Sequence, residues 1–569
     1  SPDGRHVAYV AGGALRVVGA DGDGDRPLAQ PESGQVTYGL AEFVAAEEMS
    51  RSRGHWWSPD STRLLVARVD ESPVRHWWIS DPARPEREPA RVAYPAAGTP
   101  NADVRLCLLG LDGSRVDIAW DRARYPYLAR VHWTADGPPL LLVQSRDQRS
   151  QLYLTVDTES GQTRLLHADE DPAWLELHHG VPAWTPDGRL VRIADEGGAR
   201  VLAVGDRPLT GSQLHLRAVL DVGVNDILVS ASAGAGAAGA GIGQIHVYRV
   251  NELGLERISE GEGVHSAVRC GGVTVLSSTS TAHSGATVRV LRDGEQVATI
   301  ASCAERPVLT ARVRLAEGGA RRIPCAVMLP STYREDDGPL PVLMDPYGGP
   351  HGQRVLAAHN PHLTSQWFAE QGFAVVVADG RGTPGRSPSW EKAIKNDLAR
   401  VVLEDQIDAL HALAEQGFPL DLSRVAIRGW SFGGYLAGLA VLRRPDVFHA
   451  GILGAPVTDL RLYDTHYMER YLGHPAEQPH LYEENSLVTE AGLPGAAELK
   501  RPMMIVHGLA DDNVVVAHTL RLSSALLSAG RPHEVLPLSG VTHMTPQEQV
   551  AENLLLLQAD FLKRSLGMA

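Results

Sequence analysis

The chain has 569 residues, and because one hydrophobic core stops growing at about 250–300 residues, this length predicts at least two domains. Its hydrophobic fraction of 43% and charged fraction of 21% are those of globular proteins, while 57 glycines and 37 prolines indicate many tight turns between short strands. A formal net charge of −15 repels phosphate backbones and anionic lipids, which argues against nucleic acid and membrane surfaces as partners.

The start of the chain and its four cysteines bear on where the protein works. The cysteines lie far apart with no C-x-x-C pair, so they predict free thiols and neither a disulfide framework nor a zinc site. No run of 18 apolar residues occurs. Because the sequence opens with Ser-Pro-Asp-Gly and not with a methionine or a signal peptide, we expect that a native N-terminal segment is missing, together with any targeting signal it carried. The compartment is therefore left open, with the cytoplasm favoured.

Residues 1–308 are predicted to form an all-β domain. Short apolar runs at 64–67, 140–143 and 245–248 are separated by Gly, Pro, Asp and Ser clusters. A weak repeat of the form Trp-Ser/Thr-Pro/Ala-Asp recurs at 57–60, 133–137 and 184–188, with a glycine after the Asp in the last two copies, and a Ser-Pro-Asp-Gly version of its last part opens the chain at 1–4. These intervals predict a β-propeller, incomplete at its N-terminus, with the turns at matching corners. Unrelated hairpin turns in a β-sandwich are the alternative.

Residues 309–569 change to an alternation of strands and helices. Strand-like runs at 341–344, 373–378, 425–428 and 503–506 are interleaved with helical stretches at 403–415 and 517–529. This alternation is typical of a parallel sheet flanked by helices, so the second domain is predicted to be α/β.

Two motifs that could bind a cofactor or a metal fail on their context. The G-x-G-x-x-G match at 234–239 is followed by a strand-like run and not by a helix, so it predicts a flexible hairpin loop. Asp21, Asp23, Asp25 and Glu32 have the spacing of an EF-hand loop, but Arg26 stands where glycine is needed. We therefore predict no cofactor and no metal.

The strongest catalytic signal is a G-x-S-x-G motif at 429–433. It follows the strand-like run 425–428 and precedes a helical run at 435–443. This setting predicts the cramped strand-to-helix turn of an α/β-hydrolase, with Ser431 as the nucleophile. The helix that begins there offers backbone N–H groups to a developing oxyanion.

A serine needs a base and an orienting acid, which follow it in this fold in the order Asp, His. Asp511 comes after the apolar run 503–506, at the end of a strand, and is predicted to be the acid. His543 lies on a loop before the final helix and is predicted to be the base. His507 could merely cap its strand.

Several segments resemble the prolyl oligopeptidase family, and specifically its dipeptidyl peptidase IV branch. They are Gly-Trp-Ser-Phe-Gly-Gly-Tyr at 429–435, His-Gly-Leu-Ala-Asp-Asp-Asn-Val at 507–514 and Asp-Gly-Arg-Gly-Thr at 379–383. In the β region, the pair Glu47 and Glu48 and the segment Tyr-Pro-Ala-Ala-Gly at 94–98 are similar to the double-glutamate region of the branch. The resemblance thus covers both domains.

The resemblance implies an exopeptidase, and the physics is consistent with it. Two extended residues span roughly 7 Å, so carboxylates at about that distance from Ser431 would hold a free α-ammonium and place the second peptide bond at the nucleophile. Glu47 and Glu48 would be that anchor, unless they merely form a solvated acidic patch. The implied reaction releases N-terminal Xaa-Pro, or less well Xaa-Ala, dipeptides through an acyl-enzyme.

The resemblance also implies the remaining site residues. The Tyr347 hydroxyl and the Phe432 backbone N–H would form the oxyanion hole. The S1 pocket holds the side chain before the scissile bond, and its wall would come from Val457, Leu460, Tyr463, Tyr467 and Val514. Asn513 would bind the substrate carbonyl. Tyr463 and Tyr467 are also spaced for plain helix packing.

The chain departs from the family in two places. Leu460 stands where the family often has a tryptophan, which predicts a weaker preference for proline over alanine. The family places a carbonyl-binding arginine well upstream of the glutamates, and only 46 residues precede Glu47 here, so we expect that this arginine and at least one blade are absent. A homodimer is implied by the resemblance alone.

Rival functions stay open at the level of the sequence. An acylaminoacyl or oligopeptide-cleaving peptidase of the same clan would not need a free N-terminus. An esterase would cleave short acyl esters and leave Gly-Pro amides intact. A binding protein built on an inactive hydrolase is disfavoured, because Ser431, Asp511 and His543 are all present.

Overall fold

The computed structural model describes residues 1–234, 241–545 and 547–568, so most of the glycine-rich segment at 234–239 lies outside the described residues. In this part of the chain, the first 300 residues form six antiparallel sheets of three to five strands, in which strands close in sequence pair with one another, plus a separate two-stranded hairpin. This succession of small meandering sheets is the arrangement of propeller blades, and it confirms the predicted propeller.

The strands of this domain are short, as the frequent turn residues predict. The first ten are β1 (His6–Ala11), β2 (Ala14–Gly19), β3 (Arg26–Ala29), β4 (Val36–Tyr38), β5 (His55–Trp57), β6 (Arg63–Asp70), β7 (His76–Ile79), β8 (Ala90–Ala93), β9 (Asp103–Gly110) and β10 (Arg115–Ile118). The other sixteen are β11 (Tyr127–His132), β12 (Leu140–Gln144), β13 (Ser150–Val156), β14 (Thr163–Glu170), β15 (Ala183–Trp184), β16 (Leu190–Glu196), β17 (Ala199–Val204), β18 (Arg207–Pro208), β19 (Leu214–Val222), β20 (Ile227–Ala233), β21 (His246–Asn251), β22 (Gly254–Arg257), β23 (Val264–Cys270), β24 (Val273–Thr279), β25 (Thr287–Arg292) and β26 (Glu295–Ile300).

The repeated Trp-Ser/Thr-Pro/Ala-Asp turns occupy equivalent corners. They join β5 to β6, β11 to β12 and β15 to β16, and the turn at 1–4 precedes β1. In all four turns the Asp carboxylate accepts the hydrogen of the hydroxyl two residues before it, at donor–acceptor distances from 2.5 Å (Ser58 to Asp60) to 3.2 Å (Thr134 to Asp136). The repeat therefore encodes the turn chemistry of successive blades.

Two insertions in the second sheet bring propeller residues towards the other domain. β4 and β5 pair with successive parts of the same strand, β6, and residues 39–54 between them form an insertion. This insertion carries the short helix α1 (Phe43–Glu47). Residues 71–102 separate β6 from its partner β9 and carry the β7–β8 hairpin. The glutamate pair and the segment 94–98 lie in these two insertions.

The second domain is built on an eight-stranded sheet in the order β27-β28-β30-β29-β31-β32-β33-β34, parallel from β30 to β34. Its strands are β27 (Arg314–Gly318), β28 (Ile323–Met328), β29 (Leu340–Met344), β30 (Ala374–Ala378), β31 (Leu420–Trp430), β32 (Ala450–Gly454), β33 (Met503–Gly508) and β34 (His533–Leu538). Every residue of β30 is buried, as expected of a central strand covered by helices on both faces. The predicted α/β domain is confirmed.

Helices cover both faces of this sheet. They are α2 (Leu363–Glu370), α3 (Pro388–Lys392), α4 (Arg400–Glu415), α5 (Phe432–Arg443), α6 (Thr465–Leu472), α7 (Pro479–Asn485), α8 (Ala517–Ser528) and α9 (Glu548–Ser565), with short 3-10 turns at Glu335–Asp337, Asn360–His362 and Leu460–Leu462. Apolar residues of α4, α5 and α8 share one core with one face of the sheet, and those of α2 and α9 share another core with the opposite face. No helix in the described ranges is long and apolar enough to cross a membrane.

Buried and half-buried ion pairs join the two domains. Arg200 of β17 donates to both carboxylate oxygens of Glu391 at 3.0 and 2.9 Å, and both side chains are only 7% exposed. Lys392 lies 2.6 Å from Asp171 and 2.8 Å from Asp195. The domain boundary predicted at 308/309 falls between the end of β26 and the start of β27, and its exact position stays a prediction.

Candidate active site

Ser431 sits on a strained turn between β31 and α5. Its φ of 58° and ψ of −117° lie outside the regions that a non-glycine residue normally adopts, and such strain is held in place by the surrounding structure. A Cβ atom on Gly433 would come within 2.8 Å of the Pro346 carbonyl oxygen, and one on Gly429 would overlap the Gly433 backbone. The glycines of the motif are therefore required by the close approach of backbone on both sides of Ser431.

Asp511 is placed just after β33 with both carboxylate oxygens occupied. One oxygen accepts the backbone N–H groups of Asn513 at 3.0 Å and Val514 at 2.9 Å, and the other accepts from His543 Nδ1 at 2.8 Å. Burial opposes ionisation, but hydrogen bonds from His507 and His543 outweigh it and lower the pKa of Asp511 to about 2. Asp511 is thus an anion throughout the physiological range, held in the orientation that fixes the His543 tautomer.

The loop that carries His543 is tied to the nucleophile turn. The indole Nε1 of Trp430, the residue before Ser431, donates to the His543 carbonyl at 2.7 Å. The structure therefore brings the ends of β31, β33 and β34 together, as the chain order predicts. His507 is fully buried, with its ring nitrogens bonded to Thr519 and the Val514 carbonyl, so it supports the Asp511 loop.

The predicted oxyanion-hole residues lie side by side. The Phe432 N–H is the first amide of α5 and, as in any α-helix, has no partner within the helix. The Tyr347 ring packs 5.9 Å from that of Phe432, and burial together with the charge of Glu48 raises the pKa of Tyr347, so its hydroxyl stays a donor.

A small cavity opens beside Ser431 with aromatic and apolar walls. Seven predicted residues line it: Tyr347, Ser431, Phe432, Val457, Leu460, Tyr463 and Tyr467. Tyr463 and Tyr467 meet edge to face at 5.2 Å, so they also pack within the helix region, as their spacing allows. Leu398, Tyr435 and Met468 complete the wall and were not predicted.

Asn513 and Val514 lie beside the cavity, outside its described lining. Val514 is 0% exposed. Asn513 accepts the Tyr463 hydroxyl hydrogen at 2.8 Å and donates through Nδ2 to a Glu47 carboxylate oxygen at 2.8 Å. This chain of hydrogen bonds joins the glutamates of the propeller to the cavity of the hydrolase domain.

The glutamate pair stands at the C-terminal end of α1, and a buried ion pair fixes this helix. Arg51 donates to Glu42 at 2.8 Å, both side chains are 4% exposed, and Arg51 also donates to the Leu128 carbonyl at 2.9 Å. Glu47 is exposed towards the site, while Glu48 is half-buried.

Sequence reasoning missed the partner of Glu48, which is Asp464. Asp464 caps α6 by accepting from the Tyr467 N–H at 3.0 Å, is 1% exposed, and lies next to Glu48. Burial and the Asp464 carboxyl raise the pKa of Glu48 well above its usual range, and burial raises the pKa of Asp464 to about 6. Glu48 and Asp464, here called the carboxyl pair, are therefore both harder to ionise in the free protein than ordinary carboxyl groups. The sequence marks Asp464 as a helix-capping residue before α6, but it does not show that Glu48 lies opposite.

The segment 94–98 closes the site from the propeller side. The Tyr94 hydroxyl donates to the Asn513 carbonyl at 2.8 Å, and the Ala97 N–H donates to the Tyr463 carbonyl at 2.8 Å. Ala96 and Asp464 form an antiparallel β-bridge. The loops that bear the predicted anchor and pocket residues are thus fixed against each other.

The fold and the Asp511–His543 pair beside a serine on a nucleophile turn define the class of protein, a serine hydrolase of the α/β-hydrolase fold. The prolyl oligopeptidase family matches residues 360–569, and the dipeptidyl peptidase IV N-terminal region matches residues 1–216. These two matches lie in the two domains, so both domains of the chain are similar to the prolyl oligopeptidase family in its dipeptidyl peptidase IV branch, and the protein is a serine-type peptidase.

Individual relatives are similar over nearly the whole chain. Dipeptidyl peptidase 8 of Homo sapiens is 25% identical over 642 residues, covering 95% of this chain and 71% of its own length. The probable dipeptidyl-aminopeptidase B of Emericella nidulans is also 25% identical, over 92% of this chain and 63% of its own length. The crystal structure of Porphyromonas gingivalis dipeptidyl peptidase 4 superimposes with a TM-score of 0.87 at 24% identity, covering 100% of this chain and 82% of that chain, which shows a common fold.

Proposed function

We propose that this protein is an exopeptidase that releases N-terminal Xaa-Pro, or less well Xaa-Ala, dipeptides from peptides through an acyl-enzyme. The observation that carries the proposal is the hydrogen-bonded path from Glu47 through Asn513 to Tyr463. It couples a carboxylate able to hold a free N-terminus to the wall of a small apolar cavity beside Ser431.

The proposed chemistry has two steps. His543 takes the proton of Ser431 as the serine oxygen attacks the carbonyl carbon of the second residue, and Asp511 stabilises the imidazolium that forms. The Tyr347 hydroxyl and the Phe432 N–H donate to the tetrahedral oxyanion. The C–N bond breaks as His543 protonates the leaving amine, and water, deprotonated by the same imidazole, then hydrolyses the acyl-enzyme.

The length of the product follows from the anchor. When the α-ammonium binds at Glu47 and Glu48, its positive charge stabilises the ionised form of the carboxyl pair and so lowers the pKa of the pair. Two residues then fill the space between this anchor and Ser431. The aromatic walls of Tyr463 and Tyr467 suit a flat proline ring, and the aliphatic Leu460 leaves room for alanine as well.

Acetylation of the substrate tests the proposal. We expect a chromogenic Gly-Pro amide to be cleaved at least a hundredfold more efficiently than its N-acetyl form, because acetylation removes the charge that the anchor binds. Glu48→Gln should raise KM for the free form strongly, whereas the exposed Glu295→Gln, on β26, should leave it unchanged. Equal kcat/KM for the free and acetylated substrates would refute the dipeptidyl function and favour an acylaminoacyl or oligopeptide-cleaving enzyme.

The homodimer and the cytoplasmic location implied at the sequence level stay predictions. Analytical ultracentrifugation of the purified protein tests the first of them.

A further inference from the structure

A second cavity adjoins Glu48 at the junction of the two domains. Its walls include Glu48 and Met49 from the insertion that carries α1, Arg130 of β11, Arg217 of β19 and His351 of the hydrolase domain. None of its described wall residues belongs to the predicted triad. The cavity therefore adjoins the proposed anchor of the substrate N-terminus on a side that no triad residue lines.

The other carboxylates of this cavity are already neutralised. Both oxygens of Glu176 accept from Arg470 at 3.1 Å, and both oxygens of Glu391 accept from Arg200. Burial lowers the pKa of His178, another wall residue, to about 3, so this ring is neutral at physiological pH.

Two arginines of the same cavity have no such partner. The Arg130 guanidinium donates to the carbonyls of Met49 and Ala129, and that of Arg217 donates to the side-chain oxygen of Gln353. Within the described residues, neither forms an ion pair with a carboxylate, whereas Arg200 in the same wall forms two. Burial lowers the pKa of Arg130 to about 10 and also lowers that of Arg217, and the nearby carboxylates do not offset this effect.

A partly buried guanidinium bonded only to neutral oxygens favours an anion that can reach it. The α-ammonium and the side chain of a substrate's first residue leave the same Cα atom. Once the ammonium binds at Glu47 and Glu48, that side chain stands at the mouth of this cavity. The second residue occupies the small cavity beside Ser431, so it cannot fill this one.

Because this cavity would receive the side chain of the first substrate residue, we propose that Arg130 and Arg217 select an aspartate or glutamate carboxylate there. The proposal rests on the proposed function, because the anchor is what brings the side chain to the cavity. Arg130 and Arg217 are thus specificity-determining residues for the dipeptidyl reaction.

Kinetics with matched substrates test this selectivity. For the wild-type protein, we expect kcat/KM for a Glu-Pro amide to exceed that for the nearly isosteric Gln-Pro amide by at least tenfold, and that for Lys-Pro to be lower than both. Arg217→Gln and Arg130→Gln should each reduce the Glu-to-Gln ratio while the Gln-Pro rate changes little. Arg217→Lys should restore part of it, and the exposed Arg207→Gln should leave the ratio unchanged.

Equal rates for Glu-Pro and Gln-Pro in the wild-type protein would overturn the inference, even if an arginine variant fails to fold. Calorimetric binding of the dipeptides Glu-Pro and Gln-Pro to Ser431→Ala separates this inference from the proposed function, because it needs no turnover. Failure to cleave any of the amides would refute the proposed function, whereas equal affinity for the two dipeptides would overturn the selectivity.

Discussion

Replacing Asp511 by asparagine should nearly abolish activity, because the structure dictates which way the amide must face. One oxygen of Asp511 accepts two backbone N–H groups, at 3.0 and 2.9 Å, so the asparagine NH₂ cannot occupy that side without setting donor against donor. The NH₂ must therefore face His543 Nδ1, 2.8 Å from the replaced oxygen. His543 then has to carry its proton on Nε2, the nitrogen that should accept the proton of Ser431.

In serine proteases that use this triad, the same substitution lowers kcat about 10⁴-fold, or about 5.5 kcal/mol of transition-state stabilisation. We expect a loss of about 10³- to 10⁴-fold in kcat for a Gly-Pro amide, with KM nearly unchanged because Asp511 does not contact the substrate. The matched control is Asp512→Asn, since Asp512 is the adjacent residue and is exposed. A kcat for Asp511→Asn within tenfold of the wild type would refute the assignment of Asp511 as the orienting acid.

Three further changes probe the supports of the site. Arg51→Met leaves Glu42 buried without a partner, so we expect a loss of about 3–5 kcal/mol of stability and a raised KM for free N-termini; an unchanged melting temperature would contradict this. Gly429→Ala forces its Cβ into the backbone of the nucleophile turn and should abolish labelling by a fluorophosphonate, whereas Gly34→Ala, with open space around its Cβ, should label normally. KM for a Gly-Pro amide should fall as the pH rises through about 6, where the carboxyl pair can ionise. It should rise again above about 8, where the substrate amine loses its proton. A constant KM from pH 5 to 8 would exclude the carboxyl pair as part of the anchor.

Local sequence patterns were enough to predict which loops come together at the candidate site. The glycines around Ser431 predict a nucleophile turn because a strand, a cramped turn and a helix follow one another within a few residues. Asp511 and His543 lie on loops after strands of the same parallel sheet, and such strands end at one edge. The helix 517–529 is observed as Ala517–Ser528, while the helix after Ser431 begins three residues earlier than predicted because its first turn is the motif itself.

Contacts between the domains could not be predicted in the same way. Asp464 lies beside the insertion around α1, and it also pairs with Ala96 of the segment 94–98 across the domain interface. The unpaired state of Arg130 and Arg217 depends on which carboxylates other side chains have already taken. Such features arise from packing between residues hundreds of positions apart, so composition and periodicity cannot predict them.

The length of the released product tests the central claim most directly. A peptide with a free N-terminus and proline in its second position is incubated with the purified protein, and the products are identified by mass spectrometry, with Ser431→Ala as the control. Our account predicts an intact N-terminal dipeptide, the peptide shortened by two residues, and no cleavage by the control. Release of single residues or of internal fragments, or an intact peptide beside rapid cleavage of short acyl esters, would contradict it.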